Sequence, residues 1–238
     1  MLYLLILFSS RGESQTISFG FGPNYTLTNQ KKPMVGGVNY FDNTDYSFKI
    51  SIEHALSSPK WSLFGDFTQY DGYTFITFEE GSVLAPDGFP VIGDGFNGVN
   101  VYRFDLGCSY NLIDQNRKFY LKPFLSLGIQ ISKRNGWEFY SELFQINGPD
   151  YFELEPIWID SYNTTQLVPS MGFRMGIVFL KRMELTLMVK GVYGFQSFQD
   201  MYFKYSYKGV QQEIAVFEAT GTGIFTSLSI GYRFKKTE

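Results

Sequence analysis

The chain has 238 residues, with 20 Lys and Arg against 23 Asp and Glu for a net charge of -3, and aromatic residues make up 19% of it. A single domain suits that length, and few charges among many aromatics argue against disorder. The slight acidity provides no basic face for nucleic acid, and one cysteine, Cys108, leaves no internal disulfide framework.

Met1 to Phe8 are apolar throughout, and the small residues Gly12 and Ser14 precede Gln15. This is the pattern of a secretory signal cleaved before Gln15; the alternative is a buried N-terminal strand. The expected organisation is a signal peptide over 1–14, a β-barrel over 15–234 and a short periplasmic tail over 235–238. No later apolar run approaches the ~18 residues of a membrane helix, so any membrane crossing must use strands.

From Ile17 onward the side chains alternate. Ile17, Phe19, Phe21 and Tyr25 share one face against Ser18, Gly20, Gly22 and Asn24. The split recurs with Tyr46, Phe48, Ile50 and Ile52 against Lys49, Ser51 and Glu53, then with Trp61, Leu63 and Phe67 against Asp66 and Thr68. Tyr102, Phe104, Leu106 and Cys108 oppose Arg103, Asp105 and Gly107, and Leu121, Leu125, Leu127 and Ile129 oppose Lys122, Ser126 and Gly128. Leu167, Met171, Phe173 and Ile177 oppose Ser170 and Arg174; Met183, Leu185, Leu187 and Val189 oppose Thr186 and Lys190; Ile224, Leu228, Ile230, Tyr232 and Phe234 oppose Ser227, Ser229 and Arg233. A period of two is the strand signature, and about ten residues is the length a tilted membrane strand needs.

A soluble barrel with its apolar face inward would carry many Lys and Glu outside. Here the polar face is mostly Gly, Ser and Thr with isolated charges, which suits a narrow lumen filled by side chains. Lys49, Glu53, Asp66, Arg103, Asp105, Lys122, Arg174, Lys190 and Arg233 are expected to meet there as a mixed-sign network, since buried charges need partners. Short connections at Ser57–Lys60, Ile113–Lys118 and Lys181–Arg182 alternate with long ones at Thr28–Asp45, Asp71–Val99, Lys133–Asn163 and Gln196–Ala219. Short periplasmic turns and long extracellular loops have that rhythm. The expected fold is an all-β, eight-stranded antiparallel up-and-down transmembrane β-barrel with both termini in the periplasm.

The chain ends its last strand on Ser229-Ile230-Gly231-Tyr232-Arg233-Phe234, carries Lys122-Pro123-Phe124 leading into Gly128, and contains Ser170-Met171-Gly172-Phe173. In these features it resembles the small OmpA-type and PorT-like outer-membrane barrel families. The resemblance implies fold and location, and marks Tyr232 and Phe234 as a C-terminal insertion signal; it implies little about activity.

Candidate chemistry is sparse, and the sequence calls for no cofactor or metal. The one histidine, His54, falls near the periplasmic end of the second strand on the lipid-facing parity, away from the outer surface where such barrels place a catalytic base. Cys108 falls on the apolar parity and reads as a small hydrophobe. The loop with Glu79, Glu80, Asp87 and Asp94 is acidic and Gly-rich, yet lacks a regular calcium-loop spacing. In the final hairpin, Tyr207 opposite Val210 and Met183 opposite Phe234 share one register, so a continuous ladder is expected. It would carry Met201, Phe203, Tyr205 and Tyr207 outward above the membrane as a partner-docking stripe. The alternative is that this stripe packs on the chain's own third long loop.

The expected function is a non-enzymatic accessory subunit or binding scaffold contacting outer-membrane lipid and another envelope protein. A narrow pore or integrity protein is the alternative, and an outer-membrane hydrolase is the third reading.

Overall fold

Alternation sustained over ten positions serves only an extended chain, in which successive side chains point to opposite faces. The computed structural model describes residues 15–32, 40–41, 44–56, 58, 60–72, 76–78, 92–93, 99–113, 118–134, 144–146, 152–154, 158–180 and 182–234. Its eight long strands are β1 (Gln15–Lys32), β2 (Thr44–Ala55), β3 (Trp61–Asp71), β4 (Val99–Tyr110), β5 (Phe119–Arg134), β6 (Thr164–Phe179), β7 (Met183–Val192) and β8 (Ala215–Phe234). Each is antiparallel to its sequence neighbour, and β8 returns to β1, pairing from Gln15↔Phe234 to Thr26↔Gly223. Closure removes the open sheet edges. The expected eight-stranded up-and-down barrel is the observed fold.

The alternation reads out as expected along the barrel wall. Leu106 is 67% exposed and Met171 65% exposed, and Phe19, Leu125, Leu167 and Leu228 lie on the same outer surface. Ser51, Asp66, Thr68, Arg103, Lys190 and Ser227 are buried inside. A water-soluble barrel would invert this arrangement.

Tight connections join β2 to β3, β4 to β5 and β6 to β7 at one end, called here the turn end. Opposite lies the loop end, where β1 and β8 run on together beyond the point where β7 stops. There Gln199–Phe203 pairs with β8, and Trp158–Ser161 pairs with Gln199–Phe203. Tyr205–Tyr207 pairs with both Phe152–Leu154 and Val210–Gln211. A small separate sheet joins Tyr40–Phe41, Ile76–Phe78 and Ile92–Gly93. The segments 1–14 and 235–238, expected to be a signal peptide and a periplasmic tail, lie outside the described residues.

The continuous final ladder is corrected by the structure. At its base Met183 pairs with Tyr232, not Phe234, and the register holds to Val192↔Gly223. The next pair is Gln199↔Ala219, so the first arm advances seven residues while β8 advances four. An odd excess of three residues exchanges the two faces of the arm. At the tip Tyr207 does pair with Val210.

Candidate functional site

The lumen is built from the inward side chains of all eight strands, and its charges assemble in tiers. In the lower tier Asp66 on β3 accepts hydrogen bonds from Arg174 Nη2 at 2.9 and 2.8 Å and from Ser51 at 2.6 Å, with Lys49 Nζ 3.6 Å away. Arg174 also reaches Glu53 at 3.3 Å, and Lys122 pairs with the same carboxylate. Higher up, Lys190 donates to Asp105 at 2.7 Å and Arg103 Nε donates to it at 3.2 Å. Nearest the turn end, Arg233 binds Glu184 at 3.0 Å. The structure thus brings all nine sequence-predicted lumen charges into ion pairs, in three clusters rather than one.

The sequence reading missed Glu184, and it missed the apolar half of the filling. Phe64, Tyr120, Phe124, Met188 and Phe225 are all buried on the inward parity. Arg174 lies over Phe64 at 3.7 Å and Phe124 at 5.2 Å, and Arg103 lies over Phe225 at 4.3 Å. Stacking on a ring suits the weakly hydrated guanidinium, which keeps its charge while its faces are dry. The neighbouring strand must be flat to admit these rings: Gly107 pairs directly with Phe64, and a Cβ on it would collide with the ring. A usable signal was present, since Phe64 and Phe124 are aromatics standing on the small-residue face.

Toward the loop end the lumen turns apolar. Tyr70, Val99, Val101, Val168, Val192, Phe198, Ala219 and Phe225 form one buried cluster. Just above it the β7–β8 ladder breaks, and amide side chains replace the missing rungs. Gln166 Oε1 accepts from the backbone N–H groups of Phe195 (2.7 Å) and Gln196 (2.9 Å), while its Nε2 donates to the carbonyls of Gln196 and Thr220 at 3.1 Å each. Gln130 donates to the same Thr220 carbonyl at 3.1 Å and accepts from the Tyr70 hydroxyl at 3.2 Å. Gly221 takes a φ of 79° beside them, a conformation that costs glycine little.

Because the arm has changed faces, Met201, Phe203 and Tyr205 are 2%, 1% and 1% exposed. Phe203 packs edge-on against Phe217 at 5.0 Å, on the inward face of β8. The outward stripe expected from parity is therefore absent at these three positions; Tyr207 is half-buried. Strands from the third long loop do pair with this arm, at Phe152–Leu154 and Trp158–Ser161. On the other face Lys31 pairs with Glu218 and stands 4.0 Å from Asp200. The hydrogen bond to Glu218 holds the Lys31 ammonium above the ordinary lysine value.

His54 is half-buried on β2 near the turn end, paired across to Gln15 and Leu63. Cys108 sits on the outer wall opposite Leu63 and Leu125. Tyr232 and Phe234 are outward on β8, with ring centroids 5.0 Å apart. Glu79, Glu80, Asp87 and Asp94 lie outside the described residues; among those described, no three metal-binding side chains cluster.

No protein-family model matches the sequence, and no curated protein matches it. Solved structures with a similar chain path include a major outer membrane protein from Thermus thermophilus, 12% identical, covering 94% of this chain and 100% of its own, with a TM-score of 0.47. The outer membrane protein OprG from Pseudomonas aeruginosa is 11% identical, covers 96% and 99%, and has a TM-score of 0.44. Neisserial surface protein A is 10% identical, covers 94% and 99%, and has a TM-score of 0.40.

Proposed function

We propose that this chain is a plugged, non-enzymatic β-barrel of a bacterial outer membrane that serves as an accessory subunit or binding scaffold through its loop end. The observation that carries the reading is the pairing of an apolar outer wall with a lumen filled by ion pairs and stacked rings. An outer wall of Leu, Phe, Ile and Met is stable against hydrocarbon and unstable against water. The filled lumen favours a scaffold over a pore, because an eight-stranded barrel has room for side chains and little else. In this reading the turn end faces the periplasm, because outer-membrane barrels keep their short turns there, and Tyr232 and Phe234 serve as the insertion signal. A scaffold also accounts for β1 and β8 continuing past the end of β7 into an added sheet at the loop end. Catalysis has little support: the only histidine lies at the turn end, out of reach of any nucleophile at the loop end.

The test is reconstitution. The purified chain is expected to require detergent, to fold into lipid vesicles with a heat-sensitive gel mobility, and to give no steady single-channel current in planar bilayers. A large steady conductance would overturn the scaffold in favour of the pore. A soluble, monodisperse protein in plain buffer would overturn the membrane reading itself.

A further inference from the structure

The turn end carries a regular feature that the lumen does not use. The last residue of each of the three turns is a cation: Lys60 before β3, Lys118 before β5 and Arg182 before β7. Their backbones are equivalent. The carbonyl of Lys60 accepts from Asn111 N–H at 2.7 Å, that of Lys118 from Val178 N–H at 2.7 Å, and that of Arg182 from Arg233 N–H at 2.8 Å. Each bond continues its ladder by one rung, so each cation ends its strand at the turn end, on alternate strands. Two strand spacings of ~4.8 Å and the stagger between strands place neighbouring positions at least about 10 Å apart around the rim.

All three are exposed, and among the described residues none is ion-paired. The carboxylates nearest this end are taken: Glu53 by Lys122 and Arg174, and Glu184 by Arg233. At the loop end, by contrast, Lys31 and Lys32 both face acids. The sequence of the three turns deepens the asymmetry, adding Arg117 and Lys181 against the single acid Asp114. Past the last rung, alternation no longer dictates direction: Arg182 Nη1 donates to the hydroxyl of the outward Tyr232 at 2.9 Å. The residues following Lys60 and Lys118 are Trp61 and Phe119, each 44% exposed on the outer wall. Aromatics at the edge of an apolar band mark headgroup depth, and long cationic side chains beside them reach lipid phosphates.

We infer that Lys60, Lys118 and Arg182 form a rim that binds the headgroup phosphates of anionic phospholipids in the leaflet at the turn end. The inference rests on the membrane reading above. Its ligand class is an anionic glycerophospholipid, selected over zwitterionic lipid because a zwitterion's phosphate is balanced by its own cation, whereas a net-negative headgroup attracts each exposed Lys or Arg beside it.

The experiment uses the full chain with Trp137 and Trp158 replaced by Phe, leaving Trp61 beside Lys60 as the sole reporter. It is folded into phosphatidylcholine vesicles containing phosphatidylglycerol, with bromine on the acyl chains of one lipid or the other. Quenching of Trp61 is expected to show a preference for phosphatidylglycerol of about threefold, lost in K60Q/K118Q/R182Q and weakened by high salt. A parent without preference, or a triple variant that keeps it, overturns the rim; should the triple variant fail to fold, K118Q alone must still reduce the preference. Inorganic phosphate is expected to leave the preference intact, and its abolition at millimolar phosphate would assign the rim to soluble anions instead. Gel mobility in pure phosphatidylcholine reads folding separately: failure to fold there in the parent counts against the barrel in the membrane, not against the rim.

Discussion

The lumen within the barrel wall and the arm above it solve the same problem, an inward face without water, by opposite means. Inside the wall every ladder keeps its register, each inward position is fixed by alternation, and the filling sets paired charges against buried rings and valines. Above Val192 the ladder breaks, three extra residues turn the arm over, and the inward face becomes Met201, Phe203, Ala215 and Phe217. The difference shows what a period of two encodes. It specifies which face a side chain occupies only while the ladder is unbroken, and where a rung is missing, the exposed backbone groups must find side-chain partners instead.

The largest expected effect lies in the paired lumen. Asp66→Ala would strip Arg174 and Lys49 of their shared carboxylate while both stay buried, and breaking a buried ion pair on one side costs about 3–5 kcal/mol. Urea unfolding of the vesicle-folded protein should show that loss. Glu218→Ala, which removes a partly exposed partner of Lys31 at the loop end, should cost under ~1 kcal/mol. Equal effects would mean the lumen is wetter than its packing implies.

Next comes the amide clamp. Gln166→Leu keeps most of the volume but leaves the N–H groups of Phe195 and Gln196 without their acceptor. The two bonds are part-buried, so the loss falls between a net hydrogen bond and a fully buried unsatisfied group, about 1–2 kcal/mol. It should be local: amide hydrogen exchange should quicken across 193–199 and 219–222 while β3–β5 stay protected. Uniform acceleration would show that the arm and wall open as one unit, erasing the distinction between them.

How much of this was legible follows from the same physics. The eight strands, the outward face and the nine lumen charges could be read because each rests on alternation alone. Glu184 shares the inward parity of Lys190 and escaped only by being passed over. Phe64 and Phe124 were harder, because hydrophobicity assigns them outward while position assigns them inward, and position prevails when an arginine needs a dry ring to stack on. The fate of Met201 and Phe203 was not readable: it turns on how many residues the chain spends between Val192 and Gln199, and nothing in the composition of Tyr193 to Phe198 announces an odd excess. The same segment explains why the expected docking stripe is buried.

A smaller effect than that of the amide clamp tests that segment directly. The Thr222 hydroxyl accepts from the Gly194 N–H at 3.0 Å and lies 3.2 Å from the Gly194 carbonyl and 2.9 Å from the Thr220 hydroxyl. It stands in for a ladder rung where β7 has left β8, and Gly194 must stay without a side chain there, because a Cβ on it would strike the Thr220 carbonyl. Thr222→Val preserves shape and removes only the hydroxyl, so about 1 kcal/mol is expected, the worth of one net hydrogen bond. If the break is held mainly by Gln166, Thr222→Val in a Gln166→Leu background should cost more than it does alone, since the two then share one gap. Strict additivity would instead make the two sides of the break independent, and the face exchange would then be fixed by the packing of Phe203 against Phe217 rather than by the polar groups beneath it.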